Sequence, residues 1–175
     1  MSKAGAPPVI GIVGWKKSGK TTLVVRLIEE FARRGLSVGT VKHAHHDFRI
    51  DDAETDSARH RRAGAAQVAI VSSARWALVN ELKGAPEPAL EEVIGWLGPR
   101  DLVVVEGYKG AAIPKIEVRR TASLSKRPLA AADPHVVAIA ADFEVGEAGV
   151  PVFRLNDVAG IADFILRTLK ISATA

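Results

Sequence analysis

Val9-Ile-Gly-Ile-Val13 runs straight into Gly14-Trp-Lys-Lys-Ser-Gly-Lys20-Thr21, and the fold is decided at that junction. The first five residues are a short β-branched run that suits a buried strand. The next eight match G-x-x-x-x-G-K-[ST], the pattern of a loop that wraps phosphate. Its glycines let backbone N–H groups turn inward around an anion. The same N–H groups are the open donors of the following helix, whose dipole favours negative charge. In this pattern Gly14, Lys16, Lys17, Ser18, Gly19, Lys20, Thr21 and Thr22 line a nucleotide's phosphates. Lys20 reaches the β- and γ-phosphates, and the Thr21 hydroxyl ligates Mg²⁺. The bland alternative, a glycine-rich turn with a chance Lys-Thr, does not account for a strand before it and a helix after it.

From Lys20 the period changes. Leu23, Val24, Leu27, Ile28 and Phe31 fall on one helical stripe, with Arg33 and Arg34 in the last turn and Gly35 as the stop. Ser37–Val41 then reads as a second strand, so a strand–helix–strand unit with parallel strands is expected. Beyond a polar loop over 43–56, Asp56 is expected to cap a short helix, Ser57–Ala63. Gln67–Ser72 and Arg75–Leu82 read as a hairpin, and Ala89–Leu97 as a helix. Asp101–Gly107 is the clearest buried strand. Lys115–Arg120 alternates like an edge strand, Val136–Ala140 and Val152–Leu155 read as core strands, and Asp157–Lys170 as a closing helix. The expected fold is α/β: a three-layer P-loop NTPase with a mostly parallel central sheet and a short β insert. Residues 1–8 read as a flexible tail and 9–175 as a single domain.

Such a site needs a second acid on a neighbouring strand. Here Leu102-Val-Val-Val105 ends in Glu106, at the strand end where parallel sheets bind ligands. Glutamate reaches one methylene further than aspartate, which favours contact with the magnesium through water, or polarisation of a water, over direct metal ligation. A glutamate that only closes a strand at the surface is the plain alternative. Lys16 and Lys17 invite comparison with dimerising ATPases that carry a signature lysine five residues before the P-loop lysine. That position is Trp15 here, so the two read as lysines near phosphate.

Three of the five histidines sit in Lys42-His-Ala-His-His-Asp47, directly after the second strand. His43, His45 and His46 are open to three readings: ligands for Zn²⁺ or Ni²⁺, contacts to a substrate phosphate with Asp47 placing Mg²⁺-bound water, or a solvated loop.

Composition narrows the class. The 175 residues carry 24 Lys+Arg against 20 Asp+Glu, a net charge of +4, and no cysteine. Disulfides, thiolate metal sites and cysteine nucleophiles are therefore excluded. No apolar run reaches the ~18–20 residues of a membrane span, and the N-terminus lacks the apolar core of a secretory signal, so a cytoplasmic protein is expected. Basic residues are interleaved with acids and the aromatics form no stacking run, which argues against a nucleic-acid partner.

Taken in order, Gly14–Thr22, Lys42–Asp47, Asp56-Ser57 with Arg62-Ala-Gly-Ala65, Arg75-Trp-Ala-Leu78, Val105-Glu-Gly-Tyr-Lys109, Pro114-Lys-Ile-Glu117 and Asn156-Asp157 resemble the MobB family of molybdopterin-guanine dinucleotide biosynthesis. The resemblance implies a homodimeric, GTP-binding, weakly hydrolysing adaptor. Its partners would be a molybdenum cofactor guanylyltransferase (MobA-type) and molybdopterin, with GMP attached to molybdopterin. In that reading Lys20, Glu106 and Asp47 serve hydrolysis. Thr21, Glu106 and Asp47 manage Mg²⁺, and Lys109 and the histidines face the nucleotide or the delivered cofactor. No Asn-Lys-x-Asp guanine motif is present; Asp142 is the candidate acceptor for guanine N1 and N2 hydrogens, with Asn156 and Asp157 after the last strand as the other candidates.

Two other functions fit the residues. A small-metabolite kinase would use Arg119-Arg120 or Arg59, His60, Arg61 and Arg62 as anion clamps. A nickel or zinc metallochaperone GTPase would use His43, His45 and His46.

Overall fold

A computed structural model describes residues 6–44, 48, 50, 54–146 and 149–172. The chain falls into two compact units, Met1–His43 with Leu90–Ala175, and Ala44–Ala89.

The larger unit is built on six strands: β1 (Val9–Val13), β2 (Val38–Lys42), β5 (Leu102–Glu106), β6 (Lys115–Arg119), β7 (Val136–Ala141) and β8 (Val152–Arg154). They lie in the order β2-β5-β1-β6-β7-β8, and every pairing is parallel. The alternation of a buried strand splits the core in two. Ile10, Ile12, Leu102 and Val104 face α1 (Lys20–Arg33) and α4 (Val158–Thr168), meeting Leu23, Leu27, Phe31, Ile161 and Ile165. Val41, Val103 and Val105 face the other way, onto Leu90 and Ile94 of α3 (Leu90–Trp96). Two helical layers with the sheet between them give the expected three-layer α/β fold.

The expectation of an edge strand fails. Lys115–Arg119 is an interior strand, flanked by β1 and β7, and not an edge. Its alternating charges misled because Lys115 and Glu117 are each only 1% exposed. Above them lies loop backbone, whose polar groups have no sheet or helix partner. The Lys115 ammonium donates to the carbonyls of Lys109 and Ala111, while the Glu117 carboxylate accepts from the N–H groups of Leu129 and Ala130. A strand covered by loops thus needs charges where a strand covered by a helix needs methyls.

The smaller unit carries α2 (Asp56–Arg62) and the antiparallel pair β3 (Gln67–Val71) and β4 (Trp76–Asn80). Its helix is capped by Thr55, whose Oγ1 accepts from the Ala58 N–H, and not by Asp56, which is already the first helical residue. Arg61 reaches Glu81 at 3.0 Å and ties the helix to the end of β4. On one face of the hairpin Val71 stands opposite Trp76 and Ala69 opposite Leu78. Val71, Trp76 and Leu78 are 76%, 69% and 52% exposed, so this face is apolar and open.

Candidate nucleotide site

The parallel sheet brings several loops to one edge, the ends of β1, β2, β5, β6, β7 and β8. Gly14 leaves β1 with φ +154, Lys17 follows with φ +64 and Gly19 with φ +89, so the backbone curls back on itself before α1 begins. Glycine is required at Gly14: a Cβ there would stand 2.6 Å from both Ser18 Oγ and Val118 O. Inside the curl Ser18 Oγ is buried and has no hydrogen-bond partner among the described residues. The N-terminus of α1 has no side-chain cap and no acid in its first turn. Its orphan N–H groups and dipole therefore remain open toward the loop. This cradle fits an anion.

Thr21, the second residue of α1, donates from Oγ1 to Glu106 Oε1 at 2.8 Å. Glu106 ends β5, and strand register puts it beside Ile12 and Lys42. Lys42 Nζ lies 3.5 Å from the same carboxylate oxygen. Lys20 Nζ donates to the Trp15 carbonyl at 3.0 Å. Burial pushes the Lys20 ammonium below its ordinary value; Glu106 opposes the shift, and Lys109 and Lys42 add to it. Lys20 and Lys42 thus act on one carboxylate while Lys109 bears on Lys20, a surplus of positive charge that suits a polyanion. The oxygen pair of Thr21 and Glu106 is the hard donor set that Mg²⁺ prefers.

Trp15 links the loops on either side. Lys109 Nζ lies 4.0 Å from the centre of its ring, and its Nε1 donates to the Arg127 carbonyl at 2.7 Å. Lys16 is tied through its backbone carbonyl to Leu124 N, and its side chain, like that of Lys17, is exposed. His43 follows β2, with its ring 4.6 Å from that of Tyr108. His45, His46 and Asp47 lie outside the described residues.

On the other side of the P-loop, at the ends of β7 and β8, opens a cavity of about 380 Å³. Gly19 and Thr22 form one wall, Arg120, Asp142, Arg154 and Asn156 another. Asp142 Oδ1 already accepts from Thr121 N and Oγ1, while Oδ2 faces Arg120 Nε at 3.4 Å. Asp157 is not part of this cavity's wall; its carboxylate caps α4 through Gly160 N. The sequence marks Arg120 only as a substrate anion clamp and Arg154 not at all, because only the sheet order brings the ends of β6 and β8 to the P-loop.

Residues 9–142 match the family model of molybdopterin guanine dinucleotide synthesis protein B, MobB. The chain belongs to this family. A molybdopterin-guanine dinucleotide biosynthesis adapter protein of Escherichia coli (strain K12) is 35% identical, over 93% of this chain and 94% of the relative. A protein of the same name from Haemophilus influenzae is 37% identical over 90% and 87%. The crystal structure of Bacillus subtilis MobB superposes with a TM-score of 0.76 at 26% identity, covering 94% of this chain and 99% of that one. The P-loop nucleotide-binding fold read from the first strand is thus the MobB fold. Among the described residues no helix is long and apolar enough to cross a membrane.

Proposed function

We propose that this MobB chain is a GTP-binding adaptor that helps a MobA-type guanylyltransferase attach GMP to molybdopterin. The observation that carries the nucleotide half is the 2.8 Å bond between Thr21 and Glu106 beneath an open P-loop. The names borne by the relatives carry the adaptor half.

In this reading the backbone from Gly14 to Gly19 and the Lys20 ammonium hold the β- and γ-phosphates. Thr21 and Glu106 hold Mg²⁺, which would supply positive charge to phosphate oxygens. Lys42 and Lys109 add charge at the same edge. The cavity bounded by Thr22, Arg120, Asp142 and Asn156 takes the base and ribose; Asp142 Oδ2, the oxygen that faces Arg120 at 3.4 Å, is the acceptor offered to guanine N–H donors. His45, His46 and Asp47 remain candidates for the γ-phosphate, its water or the cofactor.

Hydrolysis should be slow. The sequence holds one glutamine, Gln67, and two asparagines, Asn80 and Asn156. Asn156 lines the base cavity, so it is not placed to orient an attacking water beside Glu106. The kinase alternative loses support, because Arg119 pairs with Glu117, Arg120 with Asp142, Arg61 with Glu81 and Arg62 with Glu54. A homodimer is proposed, with the apolar face of β3 and β4 as the surface it would cover.

Lys20→Ala tests the reading. It should abolish GTP binding in calorimetry and, with it, nucleotide-dependent recovery of the guanylyltransferase from a molybdoenzyme-producing cell. Near-normal GTP binding by the variant would undo the assignment. Asp142→Asn should lower the preference for GTP over ATP.

A further inference from the structure

The most deeply buried ammonium among the described residues is not in the P-loop. Lys115 is 1% exposed, in an interior strand. Its Nζ donates to the carbonyl oxygens of Lys109 and Ala111, each at 2.7 Å, and pairs with Asp133 Oδ2 at 2.5 Å. Room for its stem comes from Gly11 on β1, its neighbour in register, where a Cβ would stand 2.7 Å from Lys115 Cγ. Burying two charges is expensive even when they pair, so an ion pair here calls for a reason beyond stability. What an apolar side chain would not do is grip two carbonyls of one loop.

That loop leaves Glu106 by an abrupt turn. Gly107 has φ +95 and Tyr108 φ +48. A bulky residue in the left-handed region persists only where its surroundings hold it there. The next residue is Lys109, whose ammonium lies over the Trp15 ring of the P-loop. Lys115 grips the carbonyl of that same residue, and the carbonyl two positions on.

We propose that Lys115 is a positioning residue of the nucleotide site. By holding the carbonyls of Lys109 and Ala111, it fixes the turn at Gly107 and Tyr108 and keeps the Lys109 ammonium against the P-loop, where it meets the terminal phosphate of a nucleoside triphosphate. The inference rests on the GTP-binding reading given above. Lys115 itself touches no nucleotide; Asp133 balances its charge, and Gly11 makes space for it.

The test compares Lys115→Met, Lys109→Met and the double variant with the unaltered chain, titrating GTP and GDP in the presence of Mg²⁺. Each single variant should lose about tenfold in GTP affinity, the scale of one charge-assisted contact, with GDP affinity little changed. The double variant should bind GTP no more weakly than either single one, because both changes remove the same contact. In a Trp76→Phe, Trp96→Phe background, Trp15 emission in Lys115→Met should follow that of Lys109→Met, a signature that loss of stability alone would not produce. Unchanged GTP affinity in Lys115→Met, or losses that add in the double variant, would overturn the inference. Should Lys115→Met not fold, Asp133→Asn loosens the same grip; a smaller loss selective for GTP supports the inference, and unchanged GTP affinity overturns it. An unaltered chain that binds neither nucleotide overturns the GTP-binding reading itself, and this inference with it.

Discussion

Thr21 Oγ1 and Glu106 Oε1 meet at 2.8 Å, joining the first turn of α1 to the end of β5. The two residues are 85 positions apart, so only the parallel pairing of β1 with β5 brings them together. A hydroxyl and a carboxylate at that distance would both serve the Mg²⁺ that the GTP-binding reading calls for. Glu106→Gln keeps the shape and removes the charge, and Thr21→Val keeps the shape and removes the hydroxyl. Each should cut the Mg²⁺-dependent gain in GTP affinity by about tenfold, on the order of one charge-assisted contact. Calorimetry with and without Mg²⁺ reads this directly. An unchanged magnesium dependence in Glu106→Gln would remove Glu106 from the metal site.

A second network fastens the scaffold behind the site. Hydrogen bonds from Arg33, and then from Arg34, pull the Glu30 carboxyl from 4.5 down to about 2. Arg34 also pairs with Asp163 on α4, so the network ties α1 to α4. A depressed carboxyl contributes stability above its unfolded value of 4.5 and loses it as pH falls through about 2. Glu30→Gln should therefore cost on the order of 1 kcal/mol at pH 7, solvent screening keeping the value modest. The gap to the unaltered chain should close between pH 4.5 and pH 2. A gap that persists undiminished at pH 2 would mean packing, and not ionisation, is responsible.

Local pattern carried most of the candidate site and little of its surroundings. The P-loop, Lys20, Thr21 and Glu106 were legible because each depends on neighbours within a few residues: a strand before, a helix after, an acid ending an apolar run. Lys115 and Glu117 were not, because their burial depends on loops at 109–111 and 129–130 that cover β6. The same holds for Arg120 and Arg154, which reach the cavity beside Gly19 and Thr22 only through sheet order. Thr55 against Asp56 is the ordinary one-residue ambiguity of a helix start.

The hairpin offers a prediction about assembly. A two-stranded ribbon is marginal in water unless something covers it, and Val71, Trp76 and Leu78 form an apolar face left open in the single chain. A second copy is the proposed cover. Trp76→Glu with Leu78→Glu should shift the particle mass in light scattering from dimer to monomer without lowering GTP affinity. A variant that stays dimeric would move the interface elsewhere.

Of the two glycines within the strands of the sheet, Gly11 has the tighter surroundings. It sits mid-strand in β1, where glycine is entropically costly, so its presence needs a reason. The reason is Lys115: an added Cβ would lie 2.7 Å from Lys115 Cγ and 3.3 Å from Ile113 Cδ1. Lys115 has little freedom to retreat, because Asp133 and the carbonyls of Lys109 and Ala111 hold its far end. Gly11→Ala should therefore destabilise the chain by about 1–3 kcal/mol, the cost of overpacking a filled core, despite alanine's lower entropic penalty. In the pair Gly11→Ala with Lys115→Met, the flexible thioether stem is no longer tethered and part of that loss should return. Denaturant unfolding of the four chains measures the coupling. If Gly11→Ala alone raises the midpoint, the lysine stem does not fill the space that glycine leaves.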